Sequence, residues 1–293
     1  MSKIAHIKRR IKSVKNTRQI TRAMQLVAAS KMKRAQDRAL ASRDYSLLLA
    51  RMLHVAISHT SEINHPLMTE RSVKKRGILL ISSDKGLCGA MNANLFRSVA
   101  EIEGEADFVS VGRKGKQFLS RAGKNLVADF TVSDKVGYGE VRPVIEFLIK
   151  SYMDGEIDTV EVLFPRFVNT MVQEPVTVRI LPLLNLEEEI DKLKVKGEEN
   201  TLDETEDDRE IKYEPDVETI LRDLPELFIK QEVYQFFLSA KASEHSARMV
   251  AMKSATDNAS SLVDDLTLKF NKARQAAITQ EILEIAAATA SNK

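Results

Sequence analysis

The stretch SSDKGLCG at residues 82–89 is the segment of this sequence most suggestive of chemistry. It follows a short apolar run, GILLIS at 77–82, and precedes a helical pattern that begins near residue 90. A strand-to-helix turn is where α/β proteins place phosphate-binding loops, because the first N–H groups of the helix point outward at the ligand. The loop has neither the G-x-x-x-x-G-K-[ST] nor the G-x-G-x-x-G pattern. Two readings therefore stand side by side: a nucleotide site or reactive Cys88, and a tight turn around a small buried cysteine with Asp84 and Lys85 capping or solvating it. The five histidines, His6, His54, His59, His65 and His245, include no i, i+4 pair, and no carboxylate cluster joins them, so no helical metal site is expected. No G-x-S-x-G or other nucleophile–base arrangement is present. Carboxylates are abundant but mostly confined to one charged run. The expectation is a chain with no catalytic, cofactor-binding or metal-binding residues of its own.

Charge is distributed unevenly. The formal net charge of +2 conceals twelve Lys or Arg in residues 1–38, where Asp37 is the first acidic residue, and fifteen Asp or Glu against five Lys or Arg in residues 187–218. The acidic stretch repels itself and stays solvated. The basic one can be a solvated face, a nucleic-acid arm, or a docking surface for acidic protein loops; no aromatic interleaving and no familiar nucleic-acid module support the second. One cysteine excludes an intrachain disulfide or Cys-based zinc site and fits a reducing compartment. No apolar run reaches the roughly 18–20 residues that span a bilayer. The N-terminus has the amphipathic, acid-poor look of a mitochondrial presequence, but its helical pattern runs on far beyond presequence length.

The placement of helix breakers organises the chain. All eleven glycines lie within 77–197 and all seven prolines within 66–225. A helix-interior glycine costs about 1 kcal/mol and a proline about 3, so residues 1–65 and 226–293 are predicted to be uninterrupted helices. At about 55 and 60 residues these would be roughly 80 and 90 Å long, and each must bury an apolar stripe against something. Ile4, Ile7, Ile11 and Val14 alternate by three and four, the coiled-coil spacing. The stripe is expected to continue through Thr17, Ile20, Met24, Val27 and Lys31 and return at Leu48, Met52 and Val55. Val250, Ala259, Leu262, Leu266, Ala273, Ala277 and Ile278 are expected to supply the facing stripe, with left-handed winding from the period near 3.5. Methionines at 24, 32, 52, 249 and 252 read as adaptable packing. Between the helices, apolar runs at 77–82, 108–111 and 159–164 alternate with helical patterns at 90–102, 113–121 and 141–153, which implies a mostly parallel sheet. Residues 176–180 alternate like an edge strand paired with 159–164. Pro215 is expected to open the return helix, and Pro225 to kink it or start a second segment.

The predicted fold is α/β: a long antiparallel left-handed coiled coil of the N- and C-terminal helices with an inserted Rossmann-like α/β domain. The boundaries are 1–60 for the first helix, 73–195 for the α/β domain, 196–214 for a charged loop or hairpin, and 215–293 for the second helix. Terminal helices that pair across an inserted domain make a lever.

Four segments resemble one family. NTRQITRAMQLVAASKM at 16–32, SDKGLCGA at 83–90, ARMVAMKSATDN at 247–258 and NKARQAAITQE at 271–281 are similar, in order, to the γ subunits of F-type ATP synthases. The family's I-T-x-E-x-x-E pattern runs from Ile278 to Glu284; the Gly-Ala that usually follows is Ala288-Thr289 here, which should extend the last helix. No two-cysteine regulatory insert is present, so the resemblance is to bacterial forms without thiol switching. It implies a rotor shaft inside a hexameric ring of α and β subunits, a foot on the c-subunit ring beside the ε subunit, no nucleic-acid partner, and peripheral attachment to the cytoplasmic face of the bacterial plasma (inner) membrane. It also implies contacts with β at Met24, Arg274, Gln275 and Thr279, a basic shaft surface at Lys8, Arg9, Lys12, Arg22 and Lys31, and a foot contact with the c ring or ε at Tyr213 and Glu214. The competing readings are a basic coiled-coil nucleic-acid adaptor and a small-molecule enzyme built on the 86–89 turn.

Overall fold

A computed structural model describes residues 2–58, 65–184, 214 and 216–291 of the chain. The expected 196–214 loop, Tyr213 and Pro215 lie outside these residues, apart from Glu214. The terminal helices are single elements: α1, Ser2–Ser58, and α5, Val217–Ser291. Between them lie β1 (Arg76–Ile81), α2 (Met91–Ala100), β2 (Ala106–Val111), α3 (Arg113–Arg121), β3 (Asn125–Phe130), α4 (Tyr138–Met153), β4 (Thr159–Phe167) and β5 (Gln173–Leu181). Pro225 lies inside α5 and does not divide it. The ring removes one backbone donor, and buried Leu221, Leu224 and Phe228 hold the flanking turns in place.

The chain divides into two compact units. The smaller, Met1–Ala29 with Arg248–Lys293, consists of the outer parts of α1 and α5. The two helices run antiparallel, with Thr256 Oγ1 2.8 Å from Thr21 Oγ1. The α1 seam runs through Ile4, Ile7, Ile11, Val14, Arg18, Thr21, Gln25 and Ala28, all buried or half-buried, with a strict alternation of three and four; Met24 and Ala29 are half-buried beside it. Met252, Thr256, Ala259, Val263, Leu266, Phe270 and Ala273 do the same on α5. The expected stripe is corrected here: Thr17, Ile20 and Val27 point to solvent, Ile20 being 60% exposed, and on α5 Leu262, Ala277 and Ile278 are exposed. The seam holds its seven-residue period by passing through small and polar side chains, whereas the expected stripe followed the larger apolar ones off the seam.

The larger unit, Ser30–Ala247, contains a five-stranded sheet in the order β3-β2-β1-β4-β5. All pairings are parallel except β4 with β5, which is antiparallel, as the alternation at 176–180 predicts. The strand β3 was not expected. β1 lies at the centre and alternates between two cores. Leu79 and Ile81 face Val141, Ile145 and Leu148 of α4 and Ile229, Val233 and Phe237 of α5, while Ile78 and Leu80 face Leu95 and Val99 of α2 and Leu119 of α3. Helices on both faces of a mostly parallel sheet make this a doubly wound domain. Glu161 of β4, almost fully buried, receives two hydrogen bonds from Arg76, at 3.0 Å from Nε and 2.5 Å from Nη2, so its charge is compensated where water cannot reach. Within this unit the α1 seam continues at Ala35, Ala39, Ser42, Ser46, Leu49, Leu53 and Ala56, again displacing the expected Leu48 and Met52 to solvent. Gln231 Nε2 of α5 donates to Ser42 Oγ at 2.7 Å and Ser46 Oγ at 3.0 Å.

Candidate functional site

The 82–89 loop is built as a structural turn. Ser82 Oγ donates to the carbonyl of Val111 at 3.0 Å and accepts the N–H of Gly115 at 2.8 Å. This draws the start of α3 so close to β1 that a Cβ on Gly112 would lie 2.3 Å from the Ser82 carbonyl oxygen. Asp84 Oδ1 accepts the N–H of Arg113, the first residue of α3, at 3.1 Å, so it serves a neighbouring helix and not the helix that follows its own turn, which has no side-chain cap. Asn92 Nδ2 donates to Ser83 Oγ at 2.7 Å and approaches Cys88 Sγ at 3.3 Å. Leu87 takes a left-handed backbone, φ 63°. Cys88 is buried against Met91 of α2 and Ala247 of α5. The strand order reverses at β1, where a doubly wound sheet ordinarily binds its ligand; here one residue of α5, Ala247, packs on Cys88 of the turn that follows this strand. The buried thiol fits the tight-turn reading of the loop, in which Lys85, Leu87 and Gly89 stay exposed. Among the described residues no group of three or more His, Cys, Asp and Glu is placed to hold a metal ion.

The other expected residues lie on helix surfaces. Lys8, Arg9, Lys12 and Arg22 are exposed on α1, and Met24 is half-buried beside the seam. Lys31 differs from its neighbours, for its ammonium is 2.5 Å from Asp134 Oδ2 in the β3–α4 loop. Arg274, Gln275 and Thr279 are exposed on α5, beyond the end of the seam at Ala273, and the Thr279 hydroxyl donates back to the Gln275 carbonyl at 3.0 Å. No residue from 274 to 287 is buried, and Ile278, Ile282, Leu283 and Ile285 stand 48–67% exposed. Glu214 is exposed. These residues do not converge on a cavity. They form faces suited to binding other molecules.

A charged cluster around Asp134 escaped the sequence reading. Lys241 Nζ lies 3.6 Å from Asp134 Oδ1 and 3.1 Å from Glu244 Oε2, and His245 Nε2 lies 4.0 Å from Asp134 Oδ1. Lys241, Glu244 and His245 are all buried. Desolvation, the largest single influence on the Asp134 carboxyl, pushes its pKa up. The hydrogen bond from Lys31 and the charges of Lys241, His245 and Lys31 outweigh it together, and the value falls from 3.8 to about 2. No residue of α5 between 228 and 247 is exposed, so these charges sit in a helix enclosed on every side. Nothing in their local spacing distinguishes them from a solvated helix face.

Two long antiparallel helices with a doubly wound α/β domain inserted between them in sequence define the class of protein, and the expected contact residues lie on its helix surfaces. The family model described as ATP synthase matches residues 3–291. The chain is 52% identical to the ATP synthase gamma chain of Opitutus terrae and 42% identical to that of Methylacidiphilum infernorum, with 98% of each chain covered in both cases. It thus belongs to the ATP synthase gamma chain family. Among solved structures the fold is similar to a chain of the Euglena gracilis mitochondrial ATP synthase rotor, with a TM-score of 0.65 at 16% identity over 94% of this chain and 99% of that one. A central stalk/c-ring structure from Tetrahymena thermophila gives 0.57 at 24% identity over 80% and 99%.

Proposed function

We propose that the chain is the central rotor shaft of an F-type ATP synthase, coupling proton-driven rotation of a c-subunit ring to the conformational cycle of catalytic β subunits. The observation that carries this reading is the surface of the paired helices. Lys8, Arg9, Lys12 and Arg22 of α1 and residues 274–287 of α5 are exposed to solvent. A stiff, asymmetric rod favours a different conformation of each surrounding subunit at each angle, so rotation shifts their populations in turn. On this reading 1–60 and 215–293 form the shaft and 73–195 the foot. Lys8, Arg9, Lys12 and Arg22 face acidic loops of β, joined by Met24, Arg274, Gln275 and Thr279. Tyr213 and Glu214 lie toward the c ring or ε. The α and β subunits, ε and the c ring are the partners. No helix among the described residues is long and apolar enough to cross a membrane, and attachment to the cytoplasmic face of the plasma membrane comes through the complex.

The test is reconstitution with α and β subunits. Arg274→Ala and Gln275→Ala are expected to lower ATPase activity or coupling of the complex while leaving the melting curve of the lone chain unchanged. Unaltered activity in the assembled complex removes both residues from the contact. Competent ATP hydrolysis by the isolated chain overturns the non-catalytic role. Tight, salt-sensitive DNA binding without α and β association favours the nucleic-acid adaptor instead.

A further inference from the structure

Residues 131–137, the loop between β3 and α4, touch both long helices within the larger unit, and do so through polar groups. Arg38 of α1 donates to the carbonyl of Lys135. Tyr234 of α5 donates its hydroxyl to the carbonyl of Val136 at 3.1 Å. Asp134 holds Lys31 of α1 at 2.5 Å and faces Lys241 and His245 of α5 at 3.6 and 4.0 Å. Val136, a buried β-branched residue, adopts the left-handed backbone with φ 47°, a conformation such residues avoid. That turn presents the Lys135 carbonyl to α1 and the Val136 carbonyl to α5.

The apolar contacts between α5 and the sheet resist separation. Hydrogen bonds and ion pairs have a preferred geometry and fix register. Within this unit the α1 seam offers little interlocking at Ala35 and Ala39, because both are small.

We propose that Asp134 is a positioning residue for torque transfer, an ionic clamp that fixes both shaft helices to the α/β domain so that rotation of the domain turns them together. The mechanical role rests on the rotor reading; the clamp itself does not.

Two measurements test the pair separately. In the membrane-reconstituted complex, Asp134→Asn keeps ATP hydrolysis within about twofold of the parent while protons pumped per ATP fall about threefold, and Asp134→Glu restores them. Tyr234→Phe, which removes one hydroxyl, moves pumping in the same direction by less. In the full-length chain alone, hydrogen exchange of the 131–137 amides rises about fivefold in Asp134→Asn. Unchanged pumping per ATP in Asp134→Asn overturns the torque role. Unchanged exchange in that variant overturns the clamp. Failure of the parent chain to support any pumping removes the rotor reading while the exchange result still decides the clamp.

Discussion

Asp134 gathers cations from two helices around one carboxylate, and its titration gives a measurable signature. Its folded pKa, about 2, lies below the ordinary 3.8. A depressed carboxylate contributes stability that is fully present above its unfolded pKa and lost as pH falls through the folded one, so the window runs from about pH 4 down to about pH 2. The full shift corresponds to about 2 kcal/mol, and the 43% exposure of the side chain reduces that to about 1 kcal/mol by solvent screening. Denaturant midpoints should show Asp134→Asn less stable than the parent by that amount at pH 7, with the difference closing near pH 2. Gly112 is a second position where one atom decides. Its φ of 95° is strained for any side chain, and a Cβ would lie 2.3 Å from the Ser82 carbonyl oxygen. Gly112→Ala should cost about 2–3 kcal/mol, read as a fall in melting temperature. The Asp134 cluster was illegible in the sequence because its partners lie at 31, 241 and 245, a hundred residues away on either side, and only the packed chain brings them together.

At the scale of elements, the long helices were legible and their seam was not. The exclusion of Gly and Pro from residues 1–65 and 226–293 points to helix because an interior breaker is costly, but it misplaces the ends: α1 is Ser2–Ser58, and α5 begins at Val217 and carries Pro225 inside it. The seam depends on which side chains are small enough to let two backbones approach, and Thr21, Ala28, Ala35 and Ser42 fill it at seven-residue intervals. Ala28 is 2% exposed and Ile20 is 60% exposed. Ala28→Leu should therefore destabilise by about 1–3 kcal/mol through overpacking, while Ile20→Ala should change stability by less than about 0.5 kcal/mol. Urea titrations of the two variants check this, and a reversed order would restore the large-residue stripe. The strand β3 was missed for a related reason. Only Leu126, Ala128 and Phe130 are partly covered, with Asn125, Val127 and Asp129 facing solvent between them, so this edge strand lacks the continuous apolar run of β1.

For the molecule as a whole, the placement of working residues follows from what the interior is used for. At the end of β1, where a doubly wound fold commonly binds a ligand, Ala247 of α5 packs on Cys88, and the functional candidates lie instead on helix faces. That inversion was legible only through the four family-like segments; the residues taken singly left an enzyme, an adaptor and a shaft open. The same burial has a practical consequence. Cys88 is the one thiol in the sequence and is 2% exposed, shielded by Met91 and by Ala247 from 159 positions further along the chain. A maleimide or aromatic disulfide reagent should therefore leave the native chain almost unlabelled and react promptly once urea detaches α5 from that turn. Labelling kinetics would then read the opening of this contact directly, with no engineered probe, and a cysteine introduced on the exposed α1 surface could be dye-tagged in the wild-type background without first removing the native one.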